Sequence, residues 1–327
     1  MKIGYFADGP WGHKAFEKIM SDDSLKIKFV MVRYDKRDAV LIELAEKNRI
    51  PVELSRNINS KEFINQVKKY EADLFVSMSF NQIFKSEMIN LPRYKTINCH
   101  AGKLPFYRGR NILNWALIND EKEFGITVHY VDEGIDTGDI ILQETYPITD
   151  EDNYGTLLAR AYDGCADVLY RAIKMIQNNE VKPVKQQDID SVGMYCGMRI
   201  PGDEIIDWNQ TSREIFNFIR ALCVPGPQAS SWIDGERICI NKARMVPKAC
   251  AYRNTVGQVI GKTEEGFLIK TGDTILEIIE YTYNGKVKIG DRLKKISLGG
   301  VMRFSPYLPA FYGDEVSLRH ISRRACA

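Results

Sequence analysis

The sequence predicts an α/β protein in which a doubly wound parallel sheet is followed by a small β-barrel domain. Three observations favour this class. In the first half of the chain, apolar strand-like runs alternate with helical patterns, which is typical of a parallel sheet with right-handed crossovers. After Pro225-Gly226-Pro227 the pattern changes to short apolar runs separated by turn dipeptides. The 327 residues are also too many for one ordinary core, which indicates two domains.

The predicted elements of the N-terminal half follow from hydrophobic periodicity. The chain begins with a strand over Lys2–Phe6, a turn over Ala7–His13 and a helix from Lys14 to Met20. Later strands are predicted at Ile27–Val32, Val52–Leu54, Asp73–Ser77, Tyr94–Cys99 and Asp139–Tyr146, with another that begins at Gly125 and runs into a Gly-rich turn. Helices are predicted at Leu41–Lys47, Ser60–Tyr70, Asn111–Ile118 and Tyr154–Gln177.

The C-terminal half is predicted to hold one helix and five short strands. Residues 178–204 have few periodic apolar positions and contain Pro183, Pro201 and Gly202, which is typical of a linker and cleft edge. The helix is predicted to begin at Thr211, and the strands are Ala229–Ile233, Arg237–Asn241, Thr255–Ile260, Gly266–Thr271 and Thr274–Tyr281. We therefore expect an N-terminal catalytic domain over residues 1–190, a linker over 191–210, a barrel domain over 211–305 and a tail over 306–327.

Composition excludes several classes of protein. The net charge of +2 gives no support for a nucleic-acid binder that acts through bulk charge. The sequence has no long apolar run and no basic segment followed by an apolar one, so neither a membrane span nor a secretory signal is predicted. The seven cysteines are scattered and form no CxxC pair, which favours reduced thiols in a cytoplasmic protein. No group of residues has metal-ligand spacing, so no metal is expected.

Three polar residues are the candidate catalytic groups. Asn98 and His100 lie two positions apart at the end of an apolar run, so both point to one face of a finishing strand. Such a strand end opens onto the crevice where α/β folds bind ligands. Asp136 follows in the Gly-rich turn after a later strand, and together the three would supply an acid–base pair and an amide donor for acyl transfer to an amine. Strand alternation turns Cys99 toward the core, and His129 is interpreted as a packing or hydrogen-bonding residue.

Two further loops follow predicted strands, and each has two interpretations. The turn Gly9-Pro10-Trp11 precedes a helix N-terminus, which either contacts a phosphate or sugar of the substrate or is a plain strand–helix connection. This turn is neither a GxGxxG nor a Walker loop, so no dinucleotide or nucleoside triphosphate is predicted. The loop Ser79-Phe80-Asn81-Gln82-Ile83-Phe84 is rich in aromatic and amide groups, which either clasp a flat heterocycle or pack within the loop.

Two long motifs resemble those of a known enzyme family. The first is Asn98-x-His100-x-x-x-Leu104-Pro105-x-Tyr107-Arg108-Gly109, and the second is Gly125-x-Thr127-Val128-x-Tyr130-Val131-x-Glu133-x-Ile135-Asp136-x-Gly138. Both resemble the formyltransferases that use N10-formyltetrahydrofolate. The run from Arg199 to Trp208 and the run from Ile219 to Ala229 are similar to the segments that open the second domain of methionyl-tRNA and sugar-nucleotide formyltransferases. The resemblance covers residue 1 to about residue 305.

The resemblance implies a fold and a set of site residues. It implies a Rossmann-like formyltransferase fold followed by an OB-like barrel, and N10-formyltetrahydrofolate as co-substrate. The family's catalytic trio falls on Asn98, His100 and Asp136, and the loop Ser79–Phe84 falls where the family binds the pterin. Arg199 falls where the sugar-modifying members meet their nucleotide-sugar substrate. The predicted substrate-binding residues are Gly9, Pro10, Trp11, Lys103, Arg108, Asn111 and Arg199, although Asn111 also suits a helix cap.

The residue types suit formyl transfer to an amine. An amine attacks only in its unprotonated form, and an unperturbed imidazole such as His100 titrates at about 6.5, which suits a general base. The Asn98 amide would donate to the oxyanion of the tetrahedral centre. Asp136 would orient the imidazole and stabilise its protonated form. No covalent intermediate is needed, so no Ser or Cys nucleophile is expected.

Two amine acceptors and one non-catalytic role stay open at this stage. The opening turn Gly9-Pro10-Trp11 looks like the first loop of sugar N-formyltransferases, and no basic insertion follows it. These observations favour a UDP- or dTDP-linked amino-deoxy sugar, in glycan or lipopolysaccharide biosynthesis, over methionyl-tRNA and other nucleic acid. The second alternative is a non-catalytic nucleotide-sugar binding module, against which the intact trio argues. A homodimer is expected from family habit alone.

Overall fold

The structure of the protein is a computed structural model that describes residues 1–294. Its strands are β1 (Lys2–Ala7), β2 (Lys26–Met31), β3 (Val52–Glu53), β4 (Leu74–Met78), β5 (Thr96–His100), β6 (Arg108–Gly109), β7 (Glu123–Tyr130), β8 (Ile140–Pro147), β9 (Tyr195–Cys196), β10 (Ala229–Ile233), β11 (Glu236–Met245), β12 (Val259–Lys262), β13 (Phe267–Lys270) and β14 (Ile275–Thr282). Its helices are α1 (Gly9–Met20), α2 (Ala39–Lys47), α3 (Lys61–Lys68), α4 (Ser86–Ile89), α5 (Ile112–Ile118), α6 (Tyr154–Gln177), α7 (Gln186–Ile189) and α8 (Ser212–Leu222). The predicted tail over 306–327, and residues 295–305 of the predicted barrel domain, lie outside the described residues. No helix within residues 1–294 has both the length and the apolar composition needed to cross a membrane.

The larger sheet has the strand order β3-β2-β1-β4-β5-β7-β8. Strands β1 to β5 run parallel to one another, which confirms the predicted doubly wound α/β class. Strands β7 and β8 extend one edge in antiparallel fashion. Residues 131–139 join these two strands without a crossover helix, and a direct connection of this kind reverses the chain direction.

The central strand β1 is buried on both faces, as expected where helices cover a parallel sheet on both sides. Its alternate residues enter two separate clusters. Tyr5 packs in the cluster that includes residues of α1 and α6, whereas Phe6 packs with Phe29 and Phe75 on the other face. This packing fixes the carboxyl ends of β1, β4 and β5, from which the predicted site loops extend.

Helix α1 begins at Gly9, whereas the sequence predicted a turn over Ala7–His13. That turn prediction is wrong for most of its range. Pro10 lies in the first turn of the helix, where its fixed φ and its missing N–H are tolerated. Gly9 has a φ of 68° and donates its N–H to the carboxylate of Asp38. Glycine and proline, which are turn signals in most contexts, begin a helix here.

The second sheet contains five antiparallel strands in the order β10-β11-β14-β13-β12. Residues 291–294 lie between its two edge strands. Trp232 of β10 exchanges two backbone hydrogen bonds with Lys294, and Val259 of β12 donates its N–H to Asp291. Covering both edges in this way closes the sheet and leaves fewer unpaired backbone groups. The result confirms the predicted small barrel-like domain.

Helix α8 packs against helix α5 and so joins the barrel to the larger sheet. Asn114 of α5 donates from Nδ2 to the carbonyl oxygen of Ala221 at 2.6 Å. Arg213 and the buried Arg220, both of α8, reach the carboxylate of Asp120 just after α5. These contacts hold the two sheets together, and the domain boundaries expected at 190 and 210 stay predictions.

Candidate active site

Strands β5 and β7 bring three polar side chains to the same face of the sheet. Asn98 of β5 lies directly opposite His129 of β7 in the antiparallel register. Opposite residues of paired strands point the same way, and alternate residues of one strand share a face, so His100 joins them. Cys99 points to the other face, where its Sγ contacts helix α6 in the core.

Asp136 lies in the turn between β7 and β8 and reaches back over this face. Its Oδ2 accepts the N–H of Gly109 at 2.9 Å and lies 3.6 Å from Nδ1 of His100. Its Oδ1 lies 3.6 Å from Nε2 of His129. The structure therefore brings the three predicted catalytic residues together, with His129 between Asn98 and Asp136.

The loop that follows His100 holds its imidazole in one orientation. Nε2 of the ring lies 2.7 Å from the carbonyl oxygen of Tyr107. The proton of the neutral ring therefore belongs on Nε2, and Nδ1 carries the free lone pair. Gly102 makes the contact possible, because a Cβ there would lie 2.5 Å from both atoms. Burial lowers the pKa of His100, and the charge of Asp136 opposes only part of that effect, so the ring is neutral near neutral pH.

The carboxylate of Asp136 is ionised although its side chain is only 14% exposed. Burial by itself raises the pKa of this carboxyl. The neighbouring imidazoles of His100 and His129 and the N–H of Gly109 outweigh burial and hold the pKa well below its usual value. An ionised carboxylate beside an imidazole stabilises the imidazolium that forms when Nδ1 takes a proton. The pair therefore has the electrostatics of a general base with its counter-ion.

His129 contacts the carboxamide of Asn98, which agrees with its interpretation as a packing or hydrogen-bonding residue. Nδ1 of His129 lies 2.8 Å from the carbonyl oxygen of Tyr130, which places the ring proton on Nδ1 and leaves Nε2 as an acceptor. Nδ2 of Asn98 lies 3.3 Å from that Nε2 and donates to it. The sequence could not name Asn98 as the partner, because the register between the two strands decides it and no single-strand pattern contains that register.

The predicted cofactor loop, Ser79–Phe84, follows β4 and divides into anchoring and exposed residues. Phe80 and Phe84 pack against Phe6, with ring centroids 5.6 and 5.0 Å away. Gln82 binds the backbone of the segment before α3 through both ends of its carboxamide. The loop is therefore a firmly held platform. Its exposed members are Ser79, Asn81 and Ile83.

A cavity of about 540 Å³ adjoins this loop. Its apolar lining is Ile83 and Phe84 of the loop, Ile64 of α3 and Met88 of α4. Its polar lining is Asn59, Lys85, Ser86, Glu87 and, from the turn that carries Asp136, Glu133. A lining that combines apolar side chains with polar groups suits a flat organic ligand that carries hydrogen-bond donors and acceptors. In the part of the chain that the structure describes, no group of three or more His, Cys, Asp or Glu side chains is arranged to hold a metal ion.

The predicted substrate residues Gly9, Pro10 and Trp11 form the first turn of α1. The N–H of Gly9 donates to Asp38, whose carboxylate also caps α2. A protein carboxylate thus occupies the position where a phosphate was considered, which disfavours an anion at this turn. Trp11 packs edge-on against Tyr162 of α6, with ring centroids 4.5 Å apart.

Two of the predicted substrate-binding cations are paired within the protein. Lys103 forms an ion pair with Glu123 of β7. Arg108 is 7% exposed, and its Nε and Nη2 donate to Oε1 of Gln186 at 3.0 and 2.7 Å. Arg108 therefore points into the protein and not into the cleft, which disagrees with its predicted contact to substrate. Its long side chain reaches a partner that lies 78 residues away in the sequence.

Asn111 precedes helix α5, but its side chain does not cap that helix. Its φ is 55°, and its Oδ1 accepts the backbone N–H of Arg199 at 3.0 Å. Arg199 is 6% exposed and lies near Tyr154. Burial raises the pKa of Tyr154, and the charge of Arg199 opposes that effect. The structure thus brings Asn111 and Arg199 together, and the capping alternative for Asn111 is wrong.

Family models match most of the chain. A model described as "Formyl transferase" matches residues 1–173, and one described as "Formyl transferase, C-terminal domain" matches residues 200–292. The chain is also 35% identical over 288 residues to the methionyl-tRNA formyltransferase of Fusobacterium nucleatum, an alignment that covers 85% of this chain and 91% of that protein.

Two solved structures share the fold. WlaRD, a sugar 3N-formyl transferase solved in the presence of dTDP and 5-N-formyl-THF, has a TM-score of 0.62 and 24% identity over 88% of this chain and 99% of its own. The N-formyltransferase from Helicobacter canadensis, in complex with folinic acid and dTDP-3-aminofucose, has a TM-score of 0.62 and 23% identity over 86% and 100%. From its family models and its relative in Fusobacterium, the chain belongs to the formyl transferase family and is an enzyme that transfers formyl groups.

Proposed function

We propose that the protein transfers a formyl group from N10-formyltetrahydrofolate to the primary amine of a nucleotide-linked amino sugar, carried on UDP or dTDP. The observation that carries the proposal is the convergence of Asn98, His100 and Asp136 on one sheet face. Formyl transfer to an amine needs a base, a donor for the oxyanion and a counter-ion for the protonated base. Each of the three side chains supplies one of these functions.

His100 acts as the base through Nδ1. The amine nitrogen forms a bond to the formyl carbon, and its proton passes to Nδ1 directly or through one water. The imidazolium that results lies 3.6 Å from the ionised carboxylate of Asp136. When the bond between the formyl carbon and N10 breaks, the imidazolium returns the proton to N10. The products are the formamide and tetrahydrofolate, and the enzyme ends in its starting protonation state.

Asn98 stabilises the negative charge that develops on the formyl oxygen. One hydrogen of its Nδ2 donates to His129, which fixes the amide plane, and the second hydrogen is left for the oxyanion. A preorganised donor of this kind is typically worth roughly 100- to 1000-fold in rate. The position of Asn98 on a central strand of the sheet limits its motion and so favours preorganisation.

The formyl donor, N10-formyltetrahydrofolate, is proposed to bind at the loop Ser79–Phe84 and in the cavity beside it. The exposed edge of this loop presents backbone polar groups together with the side chain of Ile83, which is 65% exposed. A pterin ring is flat and carries several donors and acceptors, so it suits an apolar cleft with such an edge. Glu133 connects this cavity to the turn of Asp136, which would place the formyl group near the catalytic trio.

A sugar acceptor is supported by the net charge of +2, which is close to neutral. Phosphate contacts from unpaired Lys and Arg dominate the affinity of nucleic-acid binders. The two solved structures described above act on or bind sugar substrates. Arg199 beside Asn111 is proposed to meet the nucleotide part, and the setting would be glycan or lipopolysaccharide biosynthesis in the cytoplasm.

Methionyl-tRNA is the second candidate acceptor. It is supported by the 35% identity to a methionyl-tRNA formyltransferase. A small barrel of five strands also resembles folds that often bind oligonucleotides. In that case the barrel would contact the tRNA, whereas with a sugar acceptor it would only support the cleft.

The acceptor can be tested by following tetrahydrofolate release by absorbance. The enzyme is incubated with N10-formyltetrahydrofolate and a panel of UDP- and dTDP-linked amino sugars, and in parallel with methionyl-tRNA. Turnover with a sugar nucleotide and not with methionyl-tRNA is expected. Turnover with methionyl-tRNA alone would reverse the assignment, and turnover with neither acceptor would contradict both. A His100→Ala variant controls for uncatalysed hydrolysis of the donor.

A further inference from the structure

We propose that Gln186 is a positioning residue that holds the turn of Asp136 in place against His100. The inference rests on the catalytic roles proposed above for His100 and Asp136. Gln186 begins the short helix α7 and lies between the two segments that the family models match, residues 1–173 and 200–292. Its side chain is 2% exposed, so it acts from within the protein.

The carboxamide of Gln186 links the turn of Asp136 to Arg108. Its Oε1 accepts hydrogen bonds from Nε and Nη2 of Arg108, at 3.0 and 2.7 Å. Its Nε2 donates to the carbonyl oxygens of Asp136 and Gly138, each at 2.8 Å. Both acceptor positions and both donor hydrogens of the carboxamide are thus used. The fully bonded group is fixed in one orientation, since a flipped amide would place its NH2 against the guanidinium.

The turn of Asp136 has a backbone that needs such support. Asp136 has a φ of 55°, in the left-handed region that residues with a side chain rarely adopt. Gly138 passes so close to the strand that a Cβ there would lie 1.8 Å from the carbonyl oxygen of Tyr130. Residues held in such conformations persist when surrounding contacts determine them. The two hydrogen bonds from Gln186 fall on the carbonyls of these two residues.

The two residues of strand β6 act on Asp136 from both sides. The N–H of Gly109 binds the Asp136 carboxylate, and the side chain of Arg108 holds the Gln186 that binds the Asp136 backbone. Gln186 therefore fixes the backbone from which the Asp136 side chain extends, and Gly109 fixes the carboxylate group at the other end of that side chain. Without Gln186, the N–H of Gly109 alone would hold the Asp136 side chain. The distance between the Asp136 carboxylate and Nδ1 of His100 would then vary.

Three variants test the proposal. Gln186→Met removes all four hydrogen bonds at similar volume. Gln186→Glu keeps the acceptor for Arg108 but places a carboxylate oxygen opposite the two carbonyls in place of the donor. Gln187→Met is the matched control, because Gln187 is the exposed neighbour in the same helix. Each is assayed with N10-formyltetrahydrofolate and the acceptor that turns over in the panel above.

Both Gln186 variants are expected to lower kcat by roughly tenfold or more, with each KM changed by less than about threefold. The acid limb of the kcat profile is expected to shift to lower pH. The titratable groups that face His100 are Asp136 and His129, and the Asp136 charge raises the pKa of His100. An Asp136 carboxylate that is displaced from His100 raises the pKa of His100 less. A loss of packing alone would lower the rate without moving this limb, and Gln187→Met should match the wild type.

The proposal is overturned if Gln186→Glu keeps the wild-type kcat, or if its kcat falls while the acid limb stays in place. Thermal unfolding checks that each variant is folded. If neither Gln186 variant folds, Arg108→Lys is tested instead. This change weakens the hydrogen bonds from residue 108 to Gln186 and leaves Asp136 unaltered. An acid limb that does not shift in Arg108→Lys also overturns the proposal. A wild-type enzyme that turns over with no acceptor would instead refute the proposed function.

Discussion

Nδ2 of Asn98 lies 3.3 Å from Nε2 of His129, across the antiparallel pair of strands β5 and β7. The ring proton of His129 is committed to the carbonyl of Tyr130, so Nε2 has only a lone pair to offer. The amide of Asn98 must therefore turn its nitrogen, and not its oxygen, toward this cluster. His129 thus orients the donor amide of Asn98 without itself contacting the substrate.

His129→Phe is expected to lower kcat by about fivefold while leaving both KM values close to those of the wild type. The variant keeps the ring volume but removes the acceptor for Asn98, and one lost hydrogen bond is worth about 1 kcal/mol. Steady-state kinetics checks the value. In an Asn98→Ala background the same change should cost little, because no amide is left to orient. Additive losses in that double variant would contradict the assigned role.

His100→Ala and Asn98→Ala are each expected to cut turnover by about 100-fold or more, because the first loses the base and the second loses the oxyanion donor. The measurement is tetrahydrofolate release at saturating substrates, with circular dichroism to verify folding. Cys99→Ala is the matched control. It lies between the two residues but points to the other face of β5, so it should lower stability and keep activity. Near-normal rates in both catalytic variants would refute the assignment.

Local patterns predicted much of this architecture. The long helix Tyr154–Gln177 lies where its apolar spacing predicted it, because apolar residues that repeat every 3.6 positions over that length form one face of a helix. Asn98 and His100 could be paired from strand alternation alone. Asp136 needed the motif resemblance, since no local pattern shows that a turn 36 residues later folds back onto the strand.

Features that depend on long-range contacts could not be predicted. The antiparallel direction of β7 comes from the connection to its neighbours, and this direction places His129 beside Asn98. Arg108 was expected at the cleft because the motif that contains it lies there, but its side chain turns inward and binds Gln186. Helix α1 begins at Gly9 because Asp38, on another segment, accepts the N–H of that residue. Each of these outcomes is decided by a partner that is distant in the sequence.

The rate of formyl transfer is expected to fall at acid pH with the protonation of His100. Burial lowers its pKa, so the acid limb of kcat/KM should lie below the unperturbed value of about 6.5. Asp136→Asn removes the charge that raises this pKa, so the limb should move to still lower pH while the maximal rate falls. Rates measured across the pH range in buffers of constant ionic strength test this. A limb that moves to higher pH in Asp136→Asn would contradict the pairing.

Ile83→Ser is expected to raise KM for N10-formyltetrahydrofolate several-fold and to leave kcat nearly unchanged. Ile83 is 65% exposed at the edge of the cavity beside the loop after β4, and an apolar group on a folate would cover it. Burying an isoleucine side chain is worth about 1.5 kcal/mol or more, of which a rim position captures a part. The effect should be absent from KM for the acceptor. Val192→Ser is the control, because Val192 is also exposed but lies outside this cavity. An unchanged donor KM in Ile83→Ser would place the folate elsewhere.

Arg220→Ala is expected to destabilise the protein more than Arg213→Ala, although both side chains reach Asp120 from helix α8. Arg220 is 6% exposed, and its Nη1 donates to the carbonyl of Thr149 at 2.7 Å. Its removal takes the donor away from that carbonyl and weakens the ion pair of this buried side chain with Asp120, which costs about 3 kcal/mol in comparable buried pairs. Arg213 is 30% exposed and pairs with Asp120 and Asp150 in a better solvated setting, where such pairs contribute less than about 1 kcal/mol.

Urea unfolding of the two arginine variants measures this difference directly. The expected order of the free energy of unfolding is wild type, then Arg213→Ala, then Arg220→Ala. Since α8 links the barrel to α5, the Arg220 variant should also show a broader transition if the two sheets begin to unfold separately. Equal losses in the two variants would mean that the hydrogen bond from Arg220 to Thr149 contributes nothing beyond the shared partner Asp120. The docking of the barrel would then depend on the apolar packing between α5 and α8 instead.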